Sequence, residues 1–290
     1  MSYIGRFAPT PSGPLHFGSL VAALASYLDA RANKGHWLLR IEDLDPPRSD
    51  SGSIDAIFSC LDTFGLHWDG TPMFQSKRQP AYHEVLEQLR QQGRIYACSC
   101  SRAQFQADPL YSCQCLTQPP SLKDVAMRIV LPQTSITLDD VIIGPQTQHL
   151  SNDVGDFVVQ RKDQLFSYHL AVVADDAEQN ISHVIRGSDL YHQTPRQVWL
   201  QTCLGYKQPI YGHIPIITNH QGQKLSKQNL APPLDITQAP ALLSEALERL
   251  GQATPCTFRK APVEEQLAQA IAQWDINRVP KQMQDPIAFV

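Results

Sequence analysis

Four cysteines fall between positions 98 and 115 of this 290-residue chain, as Cys98-Ser-Cys100 and then Cys113-Gln-Cys115. Two Cys-x-Cys pairs of that kind form a metal-binding pattern. Each short loop presents two thiolates to one ion, and four sulfurs complete a closed tetrahedral site of the structural zinc type. Buried thiols with no common purpose are the plain alternative. A second group lies near the start. Arg6-Phe-Ala-Pro-Thr-Pro-Ser-Gly-Pro-Leu-His-Phe-Gly-Ser19 leaves a short apolar run, passes a turn rich in proline and glycine, and enters a helical pattern. The first amides of a helix lack internal partners, so such a junction attracts anions. A third group, Lys224-Leu-Ser-Lys-Gln228, sits far along the chain in a polar loop that follows an apolar run. Read alone, its lysines are ordinary surface charges. Read with the histidine turn, they describe a nucleotide clamp. Transfer at the α-phosphate of ATP needs donors on the phosphorus and on the departing pyrophosphate, and little covalent help. His16 and the helix amides suit the first, and Lys227 the second.

The elements that must carry these groups follow from periodicity. Ile4 to Phe7 reads as a strand, and Gly18 to Arg31 as a helix with Leu20, Leu24, Tyr27 and Leu28 on one stripe. His36 to Glu42 is a second strand, so strand, helix and strand predict a parallel pair with a crossover. Acidic residues at its end, Glu42, Asp43 and Asp45, fall on the rim where open α/β sheets bind ligands. Ser51 to Phe64 and Gln79 to Gln92 are amphipathic helices. From Tyr96 the rhythm breaks into a region rich in cysteine and then proline, with short strand-like runs such as Val141 to Ile143 and Phe157 to Val159, which suggests an inserted module. Phe166 to Val173 and Ile181 to Ile185 read as buried strands. Thr194 reads as a helix cap before Pro195, and Ile210 to Thr218 as one strand. Two short helices are expected near Ala239 to Leu250 and Val263 to Trp274.

Composition narrows the class. A hydrophobic fraction of 42% beside 18% charged residues is that of a soluble globular protein of one or two domains. No apolar run reaches the ~20 residues of a membrane span, and the first residues lack a signal-peptide layout, so a cytoplasmic protein without a membrane partner is expected. The net charge of -4 gives no overall nucleic-acid footprint. Seven cysteines without an export signal argue for thiolate or metal chemistry, not for disulfides.

Pro14-Leu-His-Phe-Gly-Ser19 and Lys224-Leu-Ser-Lys-Gln228 together resemble the two signature motifs of the class I aminoacyl-tRNA synthetases. Arg6-Phe-Ala-Pro-Thr10, Arg40-Ile-Glu-Asp-Leu-Asp45, Val173-Ala-Asp-Asp176 and His183-Val-Ile-Arg-Gly-Ser-Asp189 resemble the glutamyl branch in particular. Four departures point to a short paralogue within it. Ser19 stands where the family has a second histidine, and Gln228 where it has a final serine. Val172 stands where it usually has asparagine, and too little chain follows Lys227 for a large anticodon-reading region. Loss of one transition-state donor at Ser19 is worth roughly 3 to 4 kcal/mol of activation.

What the resemblance implies is specific. The fold is α/β, a Rossmann-type parallel-sheet catalytic domain over residues 1–97 and 164–230. A zinc-binding, acceptor-presenting insertion spans 98–163, and a short helical C-terminal region spans 231–290. The chemistry is activation of glutamate by ATP to glutamyl-adenylate without tRNA, then transfer to the queuosine base at the wobble position of tRNA(Asp). His16, Ser19, Lys224 and Lys227 are the implied catalytic residues, with His16, Gly18 and Lys227 on ATP. Glutamate is assigned to Arg6, Phe7, Ala8, Pro9, Thr10, Glu42, Tyr168 and Arg186. The residue chemistry agrees: two guanidinium forks suit a dianionic amino acid, Glu42 its ammonium, and the Tyr168 hydroxyl its orientation. A simple salt bridge from Arg186 to Asp189, Asp175 or Asp176 is the alternative. For zinc, the resemblance assigns Cys98, Cys100, Tyr111 and Cys115, whereas thiolate chemistry favours Cys113 over a phenolate; both stand. Magnesium is expected with ATP, near Asp43 or Asp45, and the protein is expected to act as a monomer. The rival readings are a truncated glutamyl-tRNA synthetase that charges tRNA(Glu) and a non-catalytic glutamate- or RNA-binding relic.

Overall fold

The computed structural model describes residues 2–45, 51–101, 104, 113–219, 232–255 and 257–286. Its first strand, β1 (Ile4–Phe7), leads through the proline turn into α1 (Phe17–Ala32) and returns in β2 (His36–Ile41), parallel to β1 with Arg6 opposite Leu38. The helix is rich in alanine and leucine and is buried nearly all round, which fits an element enclosed on more than one side. The helices α2 (Ser51–Thr63) and α3 (Gln79–Gln91) flank β3 (Met73–Phe74), which pairs parallel with β2.

Residues 95–160 contain an antiparallel sheet of β4 (Ile95–Cys98), β5 (Ala126–Ile129) and β8 (Phe157–Gln160), together with a hairpin of β6 (Ser135–Asp140) and β7 (Gly144–His149). Val141 to Ile143, read from sequence as a strand, form the turn of that hairpin. Asp140 Oδ1 accepts the amides of Ile142 and Ile143 at 3.0 and 2.9 Å, an Asx-type closure that overrides the β propensity of Val and Ile. The hairpin then docks on the catalytic layer, where the Val141 amide donates to the Tyr211 carbonyl at 2.9 Å.

Phe166 to Val173 is the larger correction. The chain is helical over α4 (Tyr168–Glu178), with Ser167 as its N-cap accepting the Leu170 amide. A short apolar run cannot distinguish a buried strand from a buried helix, and here the helix is buried on nearly every side. Next come β9 (His183–Gly187), α5 (Thr194–Leu204) and β10 (Ile210–Ile214), with β9 and β10 parallel. Thr194 lies inside α5 and not at its cap, which is Gln193, and its hydroxyl is used elsewhere. Ile210 to Thr218 is divided, because Pro215 interrupts it into β10 and β11 (Ile216–Thr218).

The Ser182 amide donates to the Ile4 carbonyl at 2.9 Å, which seats β9 beside β1. The parallel strands therefore run β3, β2, β1, β9, β10, and the chain reverses its direction of growth between β1 and β9. Ligands bind at such a switch point, outside the carboxyl ends of the strands. The tail packs α6 (Ala239–Arg249) and α7 (Val263–Gln273) on α1 and ends in β12 (Gln284–Pro286), parallel to β11. Among the described residues, no helix is long and apolar enough to cross a membrane.

Candidate active site

A cavity of about 470 Å³ opens at this switch point, lined by Arg6, Phe7, Ala8, Thr10, Glu42, Tyr168 and Arg186 together with Ala22, Ile185, Leu190 and Gln193. Seven of the eight residues assigned to glutamate are thus in one wall. Pro9 is not among the lining; its carbonyl accepts the Glu42 amide at 3.0 Å and ties the proline turn to the end of β2.

Strand alternation explains the first half of the site. Arg6 on β1 pairs with Leu38 on β2, so Arg40 and Glu42, two and four residues further on, share its face. Helix α4 covers that face. Asp176 Oδ1 lies 2.6 Å from Arg40 Nη1 and 3.4 Å from Arg6 Nε, and Nη2 of Arg40 stands 3.7 Å from Glu42 Oε1. Asp175, its neighbour on the helix, is also buried; it accepts from Gln75, Arg78 and Tyr82 and lies 3.9 Å from Arg40 Nε. Burial works to raise the Asp176 carboxyl, but the cations of Arg40 and Arg6 outweigh it and hold it low. Glu42 goes the other way. Burial, opposed by Arg40 and Arg6, pushes its carboxyl up to about 7.

The second half is built on Arg186, the penultimate residue of β9 and the cross-strand partner of His213 on β10. Its Nε donates to His213 Nε2 at 3.1 Å, its Nη2 to Thr194 Oγ1 at 2.9 Å and to Gln197 Oε1 at 2.8 Å, and its Nη1 reaches Tyr168 Oη at 3.5 Å. The Tyr211 ring lies 5.4 Å below the guanidinium. Among the described residues no carboxylate pairs with Arg186, so the expected alternative of a simple salt bridge is not what the site contains. A buried cation held only by neutral groups faces the cavity. Burial pushes the Tyr168 phenol up against the pull of Arg186, so it stays a hydroxyl. Sequence reasoning missed Arg40 as a bridge, Asp176 as its anchor, and the Asp140, His213, Thr194 and Gln197 support of Arg186. Only a strand register could have found His213.

At the nucleotide end His16 is the N-cap of α1, its Nδ1 accepting the Ser19 amide at 3.2 Å. Gly18 sits against it: a Cβ there would lie 3.3 Å from the imidazole. Lys224 and Lys227 lie outside the described residues. The flanks of their segment are nevertheless fixed beside the same turn. Ile217 in β11 packs near Gly18, and the Leu234 amide donates to the Leu15 carbonyl at 3.1 Å. Of the acidic candidates for magnesium, Asp43 bonds the Ser76 amide and hydroxyl at 2.8 and 2.6 Å, and Asp45 lies 3.5 Å from Arg161.

The sulfurs of Cys98, Cys100, Cys113 and Cys115 lie within 4.8 Å of one another and could hold a metal ion. Cys113 Sγ stands 3.4 Å from Cys98 and 3.3 Å from Cys100, and Cys115 is 3.7 Å from Cys100. A tetrahedral ion with ~2.3 Å metal–sulfur bonds sets its sulfurs ~3.8 Å apart, so the cluster needs little adjustment. Tyr111 lies outside the described residues.

The family model for the class I tRNA synthetases (E and Q), catalytic domain, matches residues 4–109 and 118–251. The chain is 50% identical over 288 residues to the glutamyl-Q tRNA(Asp) synthetase of Pseudomonas fluorescens, covering 99% of this chain and 97% of that one. It is 50% identical over 281 residues to the enzyme of the same name from Pseudomonas aeruginosa, with 97% and 96% covered. Among solved structures it is similar to the glutamate-tRNA synthetase of Elizabethkingia anophelis, with a TM-score of 0.83 at 26% identity over 99% of this chain and 68% of that one.

Proposed function

This chain belongs to the class I tRNA synthetases of the glutamate and glutamine branch and is a ligase, and from that premise we propose that it activates glutamate with ATP in the absence of tRNA and then glutamylates queuosine in tRNA(Asp). One observation carries the choice of amino acid. Arg6 and Arg186, both buried, face one cavity from opposite sides of the switch point, with Glu42 lining it from the end of β2. Two guanidinium forks and one carboxylate complement two carboxylates and one ammonium. Phe7, Ala8 and Thr10 shape the floor, Pro9 ties their turn to the end of β2, and Tyr168 orients the ligand.

In the first step a glutamate α-carboxylate oxygen attacks the α-phosphorus of ATP, the bond to the β,γ-phosphates breaks, and pyrophosphate leaves. The first α1 amides that the His16 cap leaves unoccupied, approached closely across Gly18, receive charge on the α-phosphate, while Ser19 offers a neutral hydroxyl. Lys224 and Lys227 serve the leaving pyrophosphate, in a segment whose flanks, Ile217 and Leu234, rest on that turn. Magnesium screens the triphosphate. In the second step a hydroxyl of the queuosine cyclopentenediol attacks the acyl carbon, its proton is lost, and AMP departs. Cys98, Cys100, Cys113 and Cys115 would hold zinc, which would keep the insertion folded and supply no catalytic metal. The acceptor is supported by the relatives' name together with their coverage of 97% and 96% of their own length. We read the protein as a cytoplasmic monomer.

Pyrophosphate exchange with glutamate in the absence of RNA tests the first half, and transfer of labelled glutamate to tRNA(Asp) with and without queuosine tests the second. Exchange that strictly requires tRNA(Glu), or incorporation that ignores queuosine, overturns the reading.

A further inference from the structure

The Asp140 carboxylate belongs to the β6 to β7 hairpin, yet through His213 it reaches Arg186 in the wall of the glutamate cavity. Its two oxygens have different tasks. Oδ1 accepts three backbone amides, those of Ile142, Ile143 and His213, at 3.0, 2.9 and 3.1 Å. Oδ2 lies 2.6 Å from His213 Nδ1. On its far side the imidazole meets Arg186 Nε at 3.1 Å, and a guanidinium nitrogen only donates. Both contacts require the same tautomer, with the proton on Nδ1 and a lone pair on Nε2. All three side chains are buried, and His213 and Asp140 have no solvent contact.

We propose that Asp140 and His213 are positioning residues for glutamate: Asp140 fixes the His213 tautomer, and the Nε2 lone pair so presented aims the Arg186 guanidinium into the cavity. The proposal rests on reading that cavity as the glutamate site. Its chemistry is that of an oriented imidazole, in which the partner on one nitrogen decides what the other can do. Burial also keeps the imidazole neutral, drawing its pKa down to about 4 against the pull of Asp140, so the lone pair is present at neutral pH. Without it, Arg186 would keep Thr194 and Gln197 on one nitrogen but lose the contact that sets the rotation of the fork. Because Asp140 closes the β6 to β7 turn, the placement of the insertion and that of the amino-acid site become one geometric requirement.

Asp140→Asn is the sharp test, since it changes almost no volume. Three amide donors at Oδ1 allow only the carbonyl oxygen of the new amide there, so its NH₂ must face His213 Nδ1. The imidazole must then carry its proton on Nε2, where Thr194 Oγ1 at 3.1 Å can accept it but the Nε–H of Arg186 loses its acceptor. Imidazole ¹⁵N NMR of the full chain should show Nδ1–H in the wild type and Nε2–H in D140N, a readout that packing alone would not move. In pyrophosphate exchange the glutamate KM should rise ten- to a hundredfold, with kcat and the ATP KM changing much less, as suits loss of a hydrogen bond to a charged group. His213→Gln, whose carbonyl can replace Nε2 as acceptor, should retain more glutamate affinity than His213→Leu, and this pair decides the matter if D140N does not fold. An Nε2–H tautomer in the wild type overturns the proposal, as does an inverted tautomer with unchanged glutamate KM or equal loss in both His213 variants. A wild-type enzyme without glutamate-dependent exchange would overturn the glutamate reading itself, whatever the tautomer.

Discussion

Arg40 Nη1 and Asp176 Oδ1 are 2.6 Å apart, with the arginine side chain wholly excluded from solvent and the aspartate almost so. The pair joins strand β2 to helix α4, and the same carboxylate oxygen steadies Arg6 at the cavity wall. Replacing both partners by apolar groups could be nearly neutral, but removing Asp176 leaves the buried Arg40 only its longer contacts with Glu42 and Asp175, at 3.7 and 3.9 Å. Asp176→Asn should therefore destabilise the fold by about 3 to 5 kcal/mol, measured by denaturant unfolding. It should also raise the glutamate KM, because Arg6 loses its anchor. A variant of wild-type stability would show that solvent reaches this network.

Glu42 supplies a pH signature. Burial pushes its carboxyl up to about 7, so the free protein holds a proton there at mildly acid pH, while pairing with a substrate ammonium needs the ionised form. For the free protein, kcat/KM for glutamate should rise with pH and level off above 7, lying roughly 30-fold below its plateau near pH 5.5 for a single group titrating so. The stability sign is opposite. A carboxyl raised above its unfolded value contributes stability below about 4.5 that is lost as pH rises through about 7, and bound glutamate relieves that loss. Glu42→Gln should give a low, nearly flat profile. A wild-type kcat/KM constant between pH 5.5 and 7.5 would remove Glu42 from the ammonium site.

Most of the cavity lining was legible because it lies at motif positions near strand ends, where alternation and the switch-point rule say which way a side chain can serve. Arg6, Glu42 and Arg186 are of this kind. What supports them was not. Asp176 looked like a loop acid between two strands, since an apolar run as short as Phe166 to Val173 carries no period that separates strand from helix. His213 and Asp140 gain meaning only from a register across β9 and β10 and from a hairpin that returns to the sheet, both long-range facts. β12 was illegible for the same reason: a three-residue strand owes its existence to β11, not to its own propensity.

Lys227 should behave as a transition-state donor. The flanks of its segment, Ile217 and Leu234, lie beside the turn that carries His16. Lys227→Ala is expected to lower glutamate-dependent exchange by about a hundredfold or more through kcat, leaving glutamate binding almost intact. Lys224→Ala should fall between that variant and the wild type. An effect confined to the ATP KM would assign both lysines to ground-state binding.

The fourth zinc ligand can be settled by metal retention. Cys113 stands 3.3 and 3.4 Å from two of the other sulfurs, a spacing that a tetrahedral thiolate site nearly reproduces, and a thiolate binds zinc better than a phenolate does. One zinc per chain is expected, kept by Tyr111→Phe and lost by Cys113→Ser at a chelator concentration the wild type survives. Because a four-sulfur site is closed, its loss should unfold the insertion locally and not touch the phosphate chemistry. Transfer to tRNA should therefore fall further than pyrophosphate exchange does. Exchange would still decline somewhat, since the insertion also carries Asp140 into the wall behind Arg186, and a Tyr111→Phe variant that loses zinc while Cys113→Ser keeps it would reverse the assignment.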